Sequence, residues 1–104
     1  MKQVAIDQDE LALDRITAIL ACALSSKSCR VYLFGSRAAG TAQPTSDFDV
    51  AVLADEDISR ELSLARELLE ESKIPFKVDV VDLRLTASAF KAETQTQGVL
   101  LWKN

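Results

Sequence analysis

Three aspartates and a Gly-Ser pair are the residues whose types and spacing suit this sequence to chemistry. Asp47-Phe48-Asp49 opens a stretch of strand composition from Asp47 to Leu53, and a second such stretch, Phe76 to Leu83, carries Asp79 between Val78 and Val80. Side chains alternate along a strand, so Asp47 and Asp49 point the same way, roughly 6–7 Å apart. Two carboxylates so placed repel each other, and a divalent cation between them removes the repulsion. Ligands that are all oxygen suit Mg²⁺. Asp79 would be costly on a buried sheet face without a partner or a metal, and a third carboxylate would complete a two-metal site. Upstream, Gly35-Ser36 directly follows a short apolar stretch. A glycine there lets the backbone turn sharply, and the N–H groups and the Ser36 hydroxyl that follow can hold phosphate oxygens. A phosphate cradle beside paired carboxylates is the minimum apparatus for metal-assisted phosphoryl or nucleotidyl transfer.

Each feature alone has a plainer explanation. Gly-Ser after a strand is usually a turn, and Asp-x-Asp pairs occur on solvated strand faces. Their convergence on the strands of one small sheet carries the argument. Asp82 falls at a strand end and on the face opposite Asp79, which suits a turn or cap.

The elements that must position these residues follow from periodicity. Asp9 to Ser26 reads as a helix with an apolar stripe of Leu13, Ile16, Leu20, Ala23 and Leu24, capped by Asp7 or Asp9. Arg30 to Phe34 reads as a strand, Gly35 to Thr45 mostly as turn, and Asp47 to Leu53 as a second strand. After a polar break at Asp55-Glu56-Asp57, a helix runs from about Ile58 to Ser72 with Ile58, Leu62, Ala65 and Leu69 on one face, and Pro75 prevents its continuation. Phe76 to Leu83 is the third strand, and Thr86 to about Gln95 the last helix. The apolar tail Val99 to Trp102 is expected to pack on the sheet rather than serve as an interface strip. The fold expected is α/β (α+β), a small mixed sheet of three to four strands with helices packed on it.

Composition narrows the chemistry further. The sequence has 104 residues, 48% of them apolar and 27% charged, which suits one globular domain over residues 1–104. Histidine is absent, which removes His-based triads, His general bases and His-ligated zinc. The two cysteines, Cys22 and Cys29, form no metal or redox spacing and are expected to be buried and inert. Net charge is −4 with no cluster of Lys and Arg, so direct nucleic-acid binding is not expected. No long apolar run or signal-peptide pattern occurs, and the expected location is cytoplasmic, away from the membrane.

Gly35-Ser36, ten residues, then Asp47-Phe48-Asp49 resembles the GSx₁₀DxD signature of DNA polymerase β-like nucleotidyltransferases. The longer strings Phe34 to Ala42 and Ser46 to Val50 closely resemble the minimal nucleotidyltransferase (MNT) subfamily. The order of elements and the valine-flanked Asp79 extend the likeness over nearly the whole chain. The resemblance implies that Asp47, Asp49 and Asp79 are both catalytic residues and Mg²⁺ ligands, for two ions. Asp79 would also help deprotonate the attacking hydroxyl. Gly35 and Ser36 would hold the β- and γ-phosphates of ATP, and Arg37 would neutralise triphosphate charge. Where many relatives have a second arginine, this chain has Ala39.

The resemblance also suggests an acceptor. Larger relatives carry an added acceptor-binding domain, and the expectation here is that the acceptor docks on the small domain or that a partner chain helps. Subfamily members are typically paired with a HEPN-domain protein as antitoxin and toxin. The implied reaction is adenylylation of a HEPN tyrosine within a hetero-oligomer, and the acidic balance fits a protein partner. Two alternatives stand beside it: an antitoxin that blocks its partner sterically, and a transferase acting on a small-molecule hydroxyl.

Overall fold

The structure is a computed structural model, and it describes residues 8–104. The first helix, α1 (Gln8–Ala23), buries Ala12, Ile16, Leu20 and Ala23 at three- and four-residue spacing. Asp7 lies outside the described residues. Asp9 sits within α1 rather than capping it, and its carboxylate reaches 2.9 Å to Arg37. The remaining elements are β1 (Cys29–Phe34), α2 (Gly35–Ala39), β2 (Phe48–Ala54), α3 (Ser59–Glu71), β3 (Val78–Asp82), a 3-10 turn (Leu83–Leu85), α4 (Ser88–Gln97) and β4 (Val99–Lys103).

Among the described residues four strands form one mixed sheet in the order β3-β2-β1-β4. The pairs β1–β2 and β1–β4 are antiparallel, while β2 and β3 run parallel, with α3 as the crossover between them. Strand alternation divides the sheet. Phe48, Val50, Val52 and Ala54 of β2 join Val31 and Leu33 of β1 in a core shared with α1 and α3. The opposite face gathers Tyr32, Ala51 and Leu83, with Phe34, Leu53, Val81 and Phe90 around them. On α3 the expected face is the buried one, with Ile58, Leu62 and Ala65 at 1% exposure or less. The N-cap of α3 is Ile58 rather than a residue of the polar break, but Asp57 just ahead of it accepts the Ser59 N–H on Oδ1 at 2.9 Å. Asp82 accepts the Arg84 N–H at 3.0 Å and opens the 3-10 turn, a capping role that matches its position at the strand end.

Three expectations need correction. The Gly35–Thr45 segment is not all turn, because Gly35–Ala39 winds into α2 before Gly40, at φ +76°, ends it. The tail Val99–Trp102 is a fourth strand. A bulge opposite Val31 and Tyr32 lets Leu101 and Trp102 pack on the core, while Val99 and Leu100 stay about half exposed on the edge. Cys22 is exposed, since it falls on the outer side of α1; Cys29 is buried, and burial pushes its thiol pKa up. Among the described residues no helix is long and apolar enough to cross a membrane.

Candidate active site

The antiparallel register places Phe34 opposite Asp49, so the chain leaves β1 beside that aspartate. Gly35 makes the departure possible. Its φ is +74°, and a Cβ built on it would stand 2.5 Å from Asp49 Oδ2. Ser36 follows, and its carbonyl accepts the N–H groups of Gly40 and Thr41, which closes α2 into one compact turn.

The parallel register places Asp79 beside Asp49. Both point to the sheet face away from α1 and α3, the face that Ala51 and Val81 also share. Asp47 lies one residue ahead of β2, outside its ladder, and so is not the strand residue expected. Its neighbour Phe48 begins the strand by donating its N–H to the Lys77 carbonyl at 2.9 Å.

Asp49 is the electrostatic centre. Burial above all, then the charges of Asp79 and Asp47, push its carboxyl pKa above the ordinary value, while Lys77 pulls the other way. Sequence reasoning missed Lys77. Its ammonium lies 3.8 Å from Asp79 Oδ1, and the signal was its place two residues before Asp79, on the same side of the chain.

These residues suit a hard divalent cation. The donors are carboxylate oxygens, and their mutual repulsion falls when a cation enters. Among the described residues no group of three or more His, Cys, Asp or Glu side chains is arranged to hold a metal ion by itself. Mg²⁺ is commonly held by one or two carboxylates together with substrate phosphates, which is what an open acidic face beside a phosphate turn provides.

Arg37 does not line this face. Its side chain is 6% exposed, ion-paired to Asp9 and hydrogen-bonded to the Ser46 carbonyl. Its Nε and both terminal nitrogens thus meet protein oxygens away from the acidic face. A cavity of about 330 Å³ opens next to Gly35, walled by Ala38, Thr94, Gln97 and the edge-to-face rings of Phe34 and Phe90.

A family model described as polymerase beta, nucleotidyltransferase matches residues 21–104. The chain belongs to this nucleotidyltransferase family. It is 39% identical over 74 residues to the protein adenylyltransferase MntA of Shewanella oneidensis, a match that covers 69% of this chain and 52% of that protein. The chain thus spans about half the length of the curated relatives it matches. A solved complex of a tri-AMPylated Shewanella oneidensis HEPN toxin with MNT antitoxin superposes with a TM-score of 0.64 at 30% identity, covering 94% of this chain and 74% of that one. A solved minimal nucleotidyltransferase superposes with a TM-score of 0.70 at 26% identity, over 95% of this nucleotidyltransferase chain and all of the other.

Proposed function

We propose that this nucleotidyltransferase domain moves AMP from ATP to a hydroxyl of a HEPN-type partner protein, a tyrosine in the first instance, and so acts as an antitoxin. The observation that carries the reading is the juxtaposition of Asp49 with Gly35 on one side and Asp79 on the other. Similarity to an MntA adenylyltransferase, and to a complex whose HEPN toxin carries AMP, supports the choice of group and of acceptor.

In this reading Gly35 and Ser36 hold the β- and γ-phosphates through backbone N–H groups and the Ser36 hydroxyl. Asp47 and Asp49 would hold Mg²⁺ with the triphosphate, and Asp79 would help to hold a second Mg²⁺. Mg²⁺, when bound, supplies charge neutralisation on the phosphates. Asp79 receives the proton of the acceptor hydroxyl as its oxygen bonds to the α-phosphorus. The bond from that phosphorus to the bridging oxygen breaks in line, and pyrophosphate leaves. The carboxylate trio is thus asked to bind, orient and accept a proton, work that needs no histidine.

The test mixes the purified protein with its HEPN-type partner, α-labelled ATP and Mg²⁺, beside an Asp47→Ala/Asp49→Ala version. Label on the partner that vanishes in the double variant supports the reading. An unlabelled partner in a tight complex would instead support a steric antitoxin. Label on a small-molecule hydroxyl alone would move the acceptor to that class.

A further inference from the structure

Arg37 is a charged side chain held where charge is expensive, and its hydrogen bonds to backbone converge on one short piece of chain, Pro44 to Ser46. Nε and one terminal nitrogen donate to the Ser46 carbonyl at 3.2 and 2.7 Å, and the same terminal nitrogen reaches the Pro44 carbonyl at 3.5 Å. The other terminal nitrogen pairs with Asp9 Oδ2 at 2.9 Å. The guanidinium carbon stands 4.2 Å from the centre of the Phe48 ring and 4.9 Å from that of Phe76. A guanidinium so enclosed is tolerated because each of its nitrogens has an oxygen partner and two aromatic rings pack against it.

The targets lie on either side of Asp47. Ser46 gives the carbonyl of the peptide bond that precedes Asp47, and Phe48 is the residue that follows it. Asp47 itself has no place in the ladder of β2. Arg37 also belongs to α2, the same five-residue helix that Gly35 and Ser36 begin. One side chain therefore joins the Gly35–Ser36 turn to the backbone carbonyl before, and to the aromatic ring after, a carboxylate that the sheet does not hold.

We propose that Arg37 is a positioning residue: it fixes Asp47 against the Gly35–Ser36 turn, so that carboxylate and phosphate donors meet the nucleotide at a set distance. The inference rests on the proposed metal-dependent transfer. It gives Arg37 no contact with the nucleotide. A fork of several donors and a flat face is needed, so lysine cannot replace it although its charge is the same.

The experiment uses the full chain with its HEPN-type partner and compares Arg37→Lys, Arg37→Met and a core variant remote from the site, Ile16→Val. Mn²⁺ affinity is read by the spin resonance of free Mn²⁺, kcat and KM for ATP by label transfer, and folding by circular dichroism. Folded Arg37→Lys is expected to lose about tenfold to a hundredfold in both Mn²⁺ affinity and kcat, as loss of ligand-orienting contacts does, with KM for ATP little changed. Ile16→Val, although less stable, keeps both. Arg37→Met repeats the loss, and should it fail to fold, Arg37→Lys decides alone. Wild-type kcat and Mn²⁺ affinity in Arg37→Lys, with only a lower Tm, would reduce Arg37 to a fold-stabilising residue. A rise confined to KM for ATP would also overturn the proposal, since it would mark a direct phosphate contact. Wild-type protein that binds no Mn²⁺ would overturn the metal reading itself, and this inference with it.

Discussion

Gly35 and Asp49 occupy space that no larger pair could share. The glycine stands at φ +74°, and the position its Cβ would take lies 2.5 Å from Asp49 Oδ2. A side chain at residue 35 would meet two penalties at once, a left-handed backbone and a collision with the carboxylate. Gly35→Ala is expected to lower stability by about 1–2 kcal/mol for the backbone alone. It should reduce label transfer far more than it reduces Tm, because the clash falls on Asp49. Thermal unfolding and transfer rate measured together check this; equal, modest losses in both would show that Asp49 has room to move.

Asp49→Asn should abolish transfer and stabilise the protein in divalent-free buffer. The folded state raises the Asp49 pKa through burial and through Asp79 and Asp47. A carboxyl raised in this way contributes stability when protonated, at acid pH, and that contribution is lost as pH rises through its folded pKa. The neutral asparagine avoids the loss. Discounted for solvent screening, the gain at neutral pH is about 0.5 kcal/mol or less, or roughly 2–4 °C. The Tm advantage over wild type should shrink as the pH is lowered through the Asp49 pKa. An advantage that grows toward acid would contradict the charge clustering.

Mg²⁺ and a non-hydrolysable ATP analogue should raise Tm together. At a hundredfold excess over Kd the linkage amounts to about 2.7 kcal/mol. The rise should disappear with EDTA and in the Asp47→Ala/Asp49→Ala version. A rise that survives the double variant would place the nucleotide site elsewhere.

Asp57 behaves in the opposite sense to Asp49. Its hydrogen bonds from Ser59 hold its carboxyl below the ordinary value. Its contribution is therefore present above the unfolded pKa of about 4 and lost as pH falls through the folded value. Asp57→Ala should lower Tm at neutral pH, converge on wild type at acid pH and leave transfer unchanged. Scanning calorimetry across pH tests it, and a pH-independent deficit would show that Asp57 acts through something other than charge.

Periodicity made much of this legible. In the stripe Leu13, Ile16, Leu20, Ala23 and Leu24 and the face Ile58, Leu62, Ala65 and Leu69, all but Leu13 and Leu69 are buried, and those two are partly buried against the same core. Parity put Asp47, Asp49, Ala51 and Leu53 on one face; the last three share it within β2, while Asp47 lies ahead of the strand. The expected three to four strands left room for a fourth, but Val99-Leu100-Leu101-Trp102 did not identify itself as that strand because it does not alternate, and its bulge explains why. For Arg37 the family resemblance implied a triphosphate contact; its contacts with Asp9, Ser46, Phe48 and Phe76 were not legible, because only the tertiary fold creates them. Cys22 was read from the apolar character of its helix, yet each helix keeps one side for water.

The parallel pairing of β2 with β3 divides the site into two folding histories. The Gly35–Asp49 half belongs to an antiparallel pair joined by a short connection, whereas Asp79 arrives only when the α3 crossover has closed. Closing that longer loop costs more chain entropy and draws like charges together, so it is expected to be the slower step, which stopped-flow refolding followed by transfer activity would check. A chain caught between the two steps has the phosphate turn without its third carboxylate. The return of activity during refolding therefore times the docking of one edge strand.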